Sequence, residues 1–314
     1  MRTGVTVMGH HIPRHIASDL DRLAELGCDD VLVAAQENDF VYMRGKLEFL
    51  PGLARERGLR PVAIFWGALN VFGGGKSSQF LLEHPECHQV GRDGSWHRAG
   101  CYVNPASRAR IFEMIDFAVA RGFEAYFVDE PTPLSCFCRS CTDLFASRQG
   151  KDLFGAAPDE EAAFRRSCVT DYIRDISAYV KEKHPHVETM ACLMPQDREC
   201  WGEVARVPAL DNLGTDIYWV NDDIDVEEMR PLVREMAELC RDQGKRHHEW
   251  LQCWGTRRGR EHRIVEQGSV LLEEGADGLY VWAFEGQVGT SETCEDPSTA
   301  WKAACQILRR AKTG

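Results

Sequence analysis

What this sequence lacks narrows it quickly. No apolar run approaches the roughly 18 residues that a membrane-spanning helix needs, so none is expected. The opening Met1-Arg2-Thr3-Gly4-Val5-Thr6-Val7 has no apolar core of signal-peptide type behind its arginine. A cytoplasmic protein without a secretion signal is therefore expected. Positive charge is scarce: 37 Lys and Arg against 49 Asp and Glu leave a formal net charge of −12. Such a surface repels phosphate backbones and anionic lipid, which argues against nucleic-acid and membrane partners and leaves homo-oligomers open. No Gly-rich phosphate loop follows the first apolar run, where Met8-Gly9-His10-His11 stands, so a doubly wound dinucleotide fold lacks its signature. Linkers, internal repeats and low-complexity tracts are missing too.

Cysteine, by contrast, is plentiful. Thirteen cysteines without a secretion signal point to reduced thiols and metal ligation rather than disulfides.

Short β-branched or apolar runs alternate with amphipathic stretches along all 314 residues. Strands are expected at Val5–Met8, Asp30–Ala35, Pro61–Trp66, Ala125–Asp129, Val187–Leu193, Leu213–Trp219, Arg246–Cys253 and Gly278–Phe284. Between them, Ile16, Leu20, Leu23 and Leu26, or Val226, Met229, Val233 and Met236, recur at helical spacing. Eight strand–helix units predict one closed (β/α)8 barrel over residues 1–314, serving as a catalytic domain. The stretch from Gly67 to about Ser107 is long for a connection and predicts a functional loop after strand 3.

A parallel barrel gathers its reactive residues at the C-terminal ends of its strands. Those ends carry His10, His11, Gln36, Glu37, Trp66, Asp129, Glu130, Asp216, Tyr218, Trp219, Gln252, Trp254, Trp282 and Glu285. Aromatic faces stack on the C–H faces of a sugar ring, carboxylates accept its hydroxyls, and glycosidic cleavage needs two carboxyl groups. The mixture predicts a small carbohydrate substrate. His10, His11, Glu37, Trp66, Tyr218, Trp219, Gln252, Trp254 and Trp282 are the substrate-binding candidates. The catalytic candidates are Glu130, Glu249, Asp129, Asp216 and Glu285. In Phe127-Val128-Asp129-Glu130-Pro131 two adjacent acids follow an apolar strand, and one of them should hold its proton unusually tightly.

Cys136-Phe137-Cys138-Arg139-Ser140-Cys141 is C-x-C-x2-C, three thiols close enough to converge on one tetrahedral ion such as Zn²⁺. Cys101 is the best fourth ligand, with Cys87 and His97 behind it. Four thiolates leave no open position for water, so the ion would be structural.

Together these residues resemble the family 42 β-galactosidases of glycoside-hydrolase clan A and related barrels. The clear match runs from about Cys101 to Phe145. The resemblance implies that Glu130 is the acid/base after strand 4, and that Cys101, Cys136, Cys138 and Cys141 hold zinc. Asp129 stands where the family has asparagine. The family's nucleophile lies at the end of strand 7, which here reads His247-His248-Glu249-Trp250-Leu251-Gln252-Cys253-Trp254. Glu130 is eight residues past Gly122; Gln252 is eight past Gly244, and Glu249 only five. Glu249 either reaches the site or lies deeper as a structural group.

Other assignments stay open. Asp129 and Asp216 match the nucleophile and acid/base places of the α-galactosidase clan, or Asp216 binds a substrate hydroxyl. A metal-dependent sugar hydrolase or isomerase would draw ligands from His10, His11, Glu37, Glu130, His247 or His248. A sugar-binding barrel that has lost its nucleophile would leave Gln252 in its present place.

Overall fold

The alternation read from the sequence closes on itself. The computed structural model describes residues 1–8, 12–71 and 78–313. Its main sheet comprises β1 (Arg2–Val7), β2 (Asp30–Ala34), β3 (Arg60–Ile64), β4 (Ala125–Val128), β5 (Glu188–Leu193), β6 (Asn212–Thr215), β7 (Arg246–Gln252) and β8 (Gly278–Trp282). Every neighbouring pair is parallel and β1 pairs with both β2 and β8, so the barrel is closed. Helices lie outside, among them Pro13–Glu25, Arg44–Arg55, Pro105–Ala120, Pro158–Lys183, Arg230–Asp242, His262–Glu273 and Pro297–Thr313. The expected (β/α)8 fold is the one observed.

Two apolar cores follow from the two-residue alternation of strands. Residues such as Val31, Leu213, Leu251, Leu279 and Val281 turn outward and pack under the helices. Leu32, Val62, Ile64, Phe127, Met190, Trp250, Tyr280 and Trp282 turn inward and fill the barrel. Gly214 is an inward position where a Cβ would fall 2.1 Å from the carbonyl oxygen of His248; glycine there lets β6 and the His248 ring coexist.

The N-terminal end of the barrel is sealed by ion pairs. Asp30 accepts hydrogen bonds from Arg2, Arg60 and the Tyr280 hydroxyl. Glu188 meets Arg60, Arg246 and the Asn212 amide. That amide contact fixes Asn212 Oδ1 as the acceptor for His248 Nδ1 at 2.7 Å. Burial holds the His248 pKa well below its usual value, so the ring is neutral and carries its proton on Nδ1. Burial alone would raise the Asp30 pKa, but the two guanidinium groups outweigh it and hold it below the usual carboxylate range.

Asp30→Ala leaves Arg60 with Glu188 alone and removes the acceptor of Arg2 and of the Tyr280 hydroxyl, and is expected to cost about 2–3 kcal/mol in denaturant unfolding. The sign of the pH effect follows from the lowered pKa. Asp30 stabilises the fold above the unfolded-state pKa of about 3.9, and the contribution fades as pH falls through the lower folded value. A wild-type advantage over the variant that did not shrink at acid pH would contradict this account.

The long connection after β3 is ordered where it is described. It holds a short helix, Gln79–Glu83, and an antiparallel hairpin of His88–Val90 with Trp96–Gly100. Asn104 then caps the helix Pro105–Ala120, its side chain accepting from the Ala106 N–H at 2.9 Å.

Candidate active site and metal centre

β4 is short, and its alternation sets the direction of the acids at its end. Ala125 and Phe127 point inward, so Asp129 is the next inward residue. Glu130 then adopts φ +43°, a left-handed conformation that costs a non-glycine residue strain. That turn lets both acids line the same cavity. The cavity has a volume of about 110 Å³ and is walled by Trp66, Asp129, Glu130, Tyr218, Trp254, Trp282 and Glu292. Trp250 lies beneath, its ring centroid 6.0 Å from that of Trp282, and Trp66 leans on Trp282 from the other side at 5.7 Å. Tyr218 meets Trp254 edge-to-face at 5.5 Å.

Asp216 continues the inward series of Asn212 and Gly214 on β6, and its carboxyl group lies near enough to that of Glu130 for the two to interact. Burial comes first, then the charge and hydrogen bond of Glu130, in pushing the Asp216 pKa well above the carboxylate range. Burial and then Glu130 do the same to Asp129. Asp197, in the turn after β5, is pushed up to about 6 by burial and again by Glu130. Carboxyl groups this close cannot all be ionised, so the cluster retains protons near neutral pH. A retained proton beside a ring-lined cavity is what general-acid chemistry requires.

Asp216→Asn should therefore raise stability at pH 7 by about 1–2 kcal/mol while lowering any turnover. A buried acid with a raised pKa costs stability as pH climbs above its unfolded value near 3.9, because only the unfolded chain ionises freely. The amide never ionises and can still donate to Glu130. The gain in melting temperature should vanish below about pH 4; a loss of stability at pH 7 would count against the paired arrangement.

Trp66, Asp129, Glu130, Tyr218, Asp216, Trp254 and Trp282 thus come together as expected from the sequence. Other candidates do not. Glu249 faces outward with Leu251 and Leu279, hydrogen-bonded to His247 Nε2 at 2.6 Å, and is a structural group beneath the helices. Glu285 lies outside the mouth, paired with Arg22 of the first helix. Glu37 accepts from Ser78 Oγ at 2.6 Å and the Phe80 N–H at 2.7 Å, so its carboxylate pins the long loop instead of lining the cavity. The Gln252 oxygen accepts from the Val220 N–H at 3.1 Å, and its amide donates to the Trp254 carbonyl at 3.2 Å. Gln252 therefore braces the loops after β6 and β7. Trp219 packs against the outer core. His10 and His11 lie outside the described residues.

Two carboxyl groups were not foreseen: Asp197, which feels the Glu130 carboxyl group, and Glu292, which lines the cavity. Asp197 follows β5, and the rule of strand C-terminal ends would have found it. Glu292 sits in the aperiodic stretch beyond β8, where the sequence offers no signal.

The four cysteines converge as the spacing predicts. Cys101 ends the hairpin, Cys136 and Cys138 lie in the loop after β4, and Cys141 occupies the first turn of the helix Arg139–Gln149. All four are buried and their sulfur atoms lie within 4.8 Å of one another, with Cys101 and Cys141 at 3.5 Å. Sulfurs at about 2.3 Å from a tetrahedral ion stand roughly 3.8 Å apart, so the cluster fits a metal with little adjustment. N–H groups of Val90 and Cys138 donate to Cys136 Sγ at 3.5 and 3.4 Å, favouring the thiolate a metal needs. Cys87 stays outside the four, its carbonyl accepting from the Cys101 N–H at 2.8 Å. His97 lies on the exposed hairpin strand. A metal here would tie the hairpin after β3 to the loop carrying Glu130.

No family model matches this chain, and no curated protein does. Solved structures do. A β-galactosidase from the Antarctic haloarchaeon Halorubrum lacusprofundi superposes with a TM-score of 0.75 at 18% identity, over 100% of this chain and 58% of that one. A β-galactosidase from the psychrophilic Marinomonas ef1 gives 0.76 at 12% identity, over 99% and 60%. An endo-β-1,4-mannanase from Thermotoga petrophila gives 0.62 at 11%, over 100% and 77%. The chain spans less than two thirds of the β-galactosidases it resembles. At these identities the likeness establishes the barrel fold, which the chain shares with solved β-galactosidases and a mannanase.

Proposed function

We propose, from a barrel shared with solved glycosidases, that this chain hydrolyses a small glycoside, with Glu130 as proton donor. The observation that carries the reading is that Asp129, Glu130 and Glu292 line one cavity together with Trp66, Trp254 and Trp282. The walls supply ring faces for a sugar, and the acids supply the proton. As the glycosidic C–O bond breaks, its electron pair goes to the leaving oxygen and Glu130 protonates it. Asp216, which holds its own proton, steadies the carboxylate that Glu130 becomes. Tyr218 and Asp129 are placed to bind sugar hydroxyls. About 110 Å³ is small beside the 300–1,000 Å³ of sites for drug-sized ligands, so the enclosed part suits one sugar unit.

The four-cysteine centre suits Zn²⁺ by its all-sulfur donor set, held by Cys101, Cys136, Cys138 and Cys141. A closed site of this kind supplies rigidity and no reacting water.

The test is a panel of nitrophenyl glycosides; release of nitrophenol from at least one by the wild type is expected. The inward end of β7 favours a second reading, because Gln252 offers no carboxylate there and is bound to backbone. A barrel that binds sugar without cleaving it would saturate in calorimetry and release nothing.

A further inference from the structure

We propose that Glu292 is the carboxylate that attacks the anomeric carbon, opposite Glu130. The inference rests on the glycosidase reading above and names a residue that the sequence did not. In the ring order β1-β8-β7-β6-β5-β4-β3-β2, β8 stands four places from β4 in either direction. Glu292 follows β8 and lines the same cavity as Glu130, which follows β4. The two carboxylates therefore line one space, and glycosidic cleavage demands two such groups.

The local build holds Glu292 in place. Its carbonyl accepts from the Gly255 N–H at 2.7 Å, and the Glu295 N–H donates to the Thr256 carbonyl at 2.9 Å, so its segment is laced to the chain just past β7. Its own N–H donates to Thr290 Oγ1 at 3.1 Å. Backbone groups thus close the turn, and the side chain is left to face the cavity. One carboxylate oxygen is fixed by Gln287 Nε2 at 2.8 Å, and Gln287 is itself buried. A reactive carboxylate oriented by a neighbouring amide is a pre-organised one.

Glu292 stands on the wall of a small cavity, so its own oxygen can meet the anomeric carbon of a sugar seated there. Direct attack follows. A Glu292 oxygen bonds to the anomeric carbon while the glycosidic C–O bond breaks and Glu130 protonates the departing oxygen. Water, giving its proton to Glu130, then displaces Glu292 and restores both groups.

The experiment uses the glycoside to which the wild type responds. Glu292→Gln keeps an acceptor for Gln287 and should melt as the wild type does, yet lose at least about 10³-fold in kcat/KM. A 2-deoxy-2-fluoro glycoside of the same sugar, with a dinitrophenyl leaving group, should add its glycosyl mass to the peptide containing Glu292. Glu292→Gln activity within tenfold of wild type, or the adduct on another carboxylate, overturns the assignment and leaves the glycosidase reading standing. Failure of the wild type to cleave any glycoside overturns both.

Discussion

Glu130→Gln is expected to lower kcat/KM for a responsive glycoside by about 10²–10⁴-fold while leaving the melting temperature unchanged or slightly raised. The amide has the shape of the acid and can still meet Asp216, but it has no proton to give at neutral pH. The deficit should grow with the basicity of the leaving group: modest for dinitrophenyl glycosides, whose phenolate departs unaided, and large for alkyl glycosides. Stability should not suffer, because burial is the first cause that raises Asp129, Asp216 and Asp197 and Glu130 only adds to it, an addition the amide removes. Strain at φ +43° persists in the variant, since glutamine meets the same backbone restriction. Unchanged turnover across leaving groups would remove Glu130 from the mechanism.

The second large effect is on the metal centre. Elemental analysis should find about one zinc per chain, and Cys138→Ser should release it. The melting temperature is then expected to fall by about 10 °C, corresponding to roughly 3–5 kcal/mol for a chain of this size. The reason is that three thiols and a serine hydroxyl are then left in the buried cluster with no cation to hold them together. They join the hairpin that ends at Cys101 to the loop that begins at Glu130, and other described links between these segments are few, such as the Phe137 N–H to the Val90 carbonyl at 2.7 Å. Residual folded protein should keep a near-normal pH profile, since no cysteine lines the cavity. A variant that loses metal and keeps its melting temperature would make the cluster incidental to stability.

Much of the barrel was legible because its strands are short apolar runs between helices of clear periodicity. Asp30–Ala34, expected to end at Ala35, and Glu188–Leu193, expected to begin at Val187, differ from their predictions by one residue each. The largest error in a strand was at β6, expected to reach Trp219 but ending at Thr215, because the polar Asp216 already stands at the mouth. The helix Arg139–Gln149 was missed, since its polar sequence and the cysteines at its start read as loop. The cysteine centre was legible because ligand spacing is a local property. Side-chain direction on β7 was not, because a parallel strand is buried on both faces and loses the polar alternation that marks inside from outside. Trp250 inward forces Glu249 outward, yet only the closed barrel shows which of the two it is. Glu292 could not be found at all: its place depends on where Gly255 and Thr256 grip an irregular segment.

The ion-paired floor has a consequence for how the barrel meets acid. Beneath, Asp30 is held ionised by arginine; above, burial and then a neighbouring carboxyl group keep Asp129 and Asp216 protonated. Adding protons loosens the one end and settles the other. The two ends of a single barrel, Asp30 at its floor and Asp216 at its mouth, therefore answer the same titration in opposite directions.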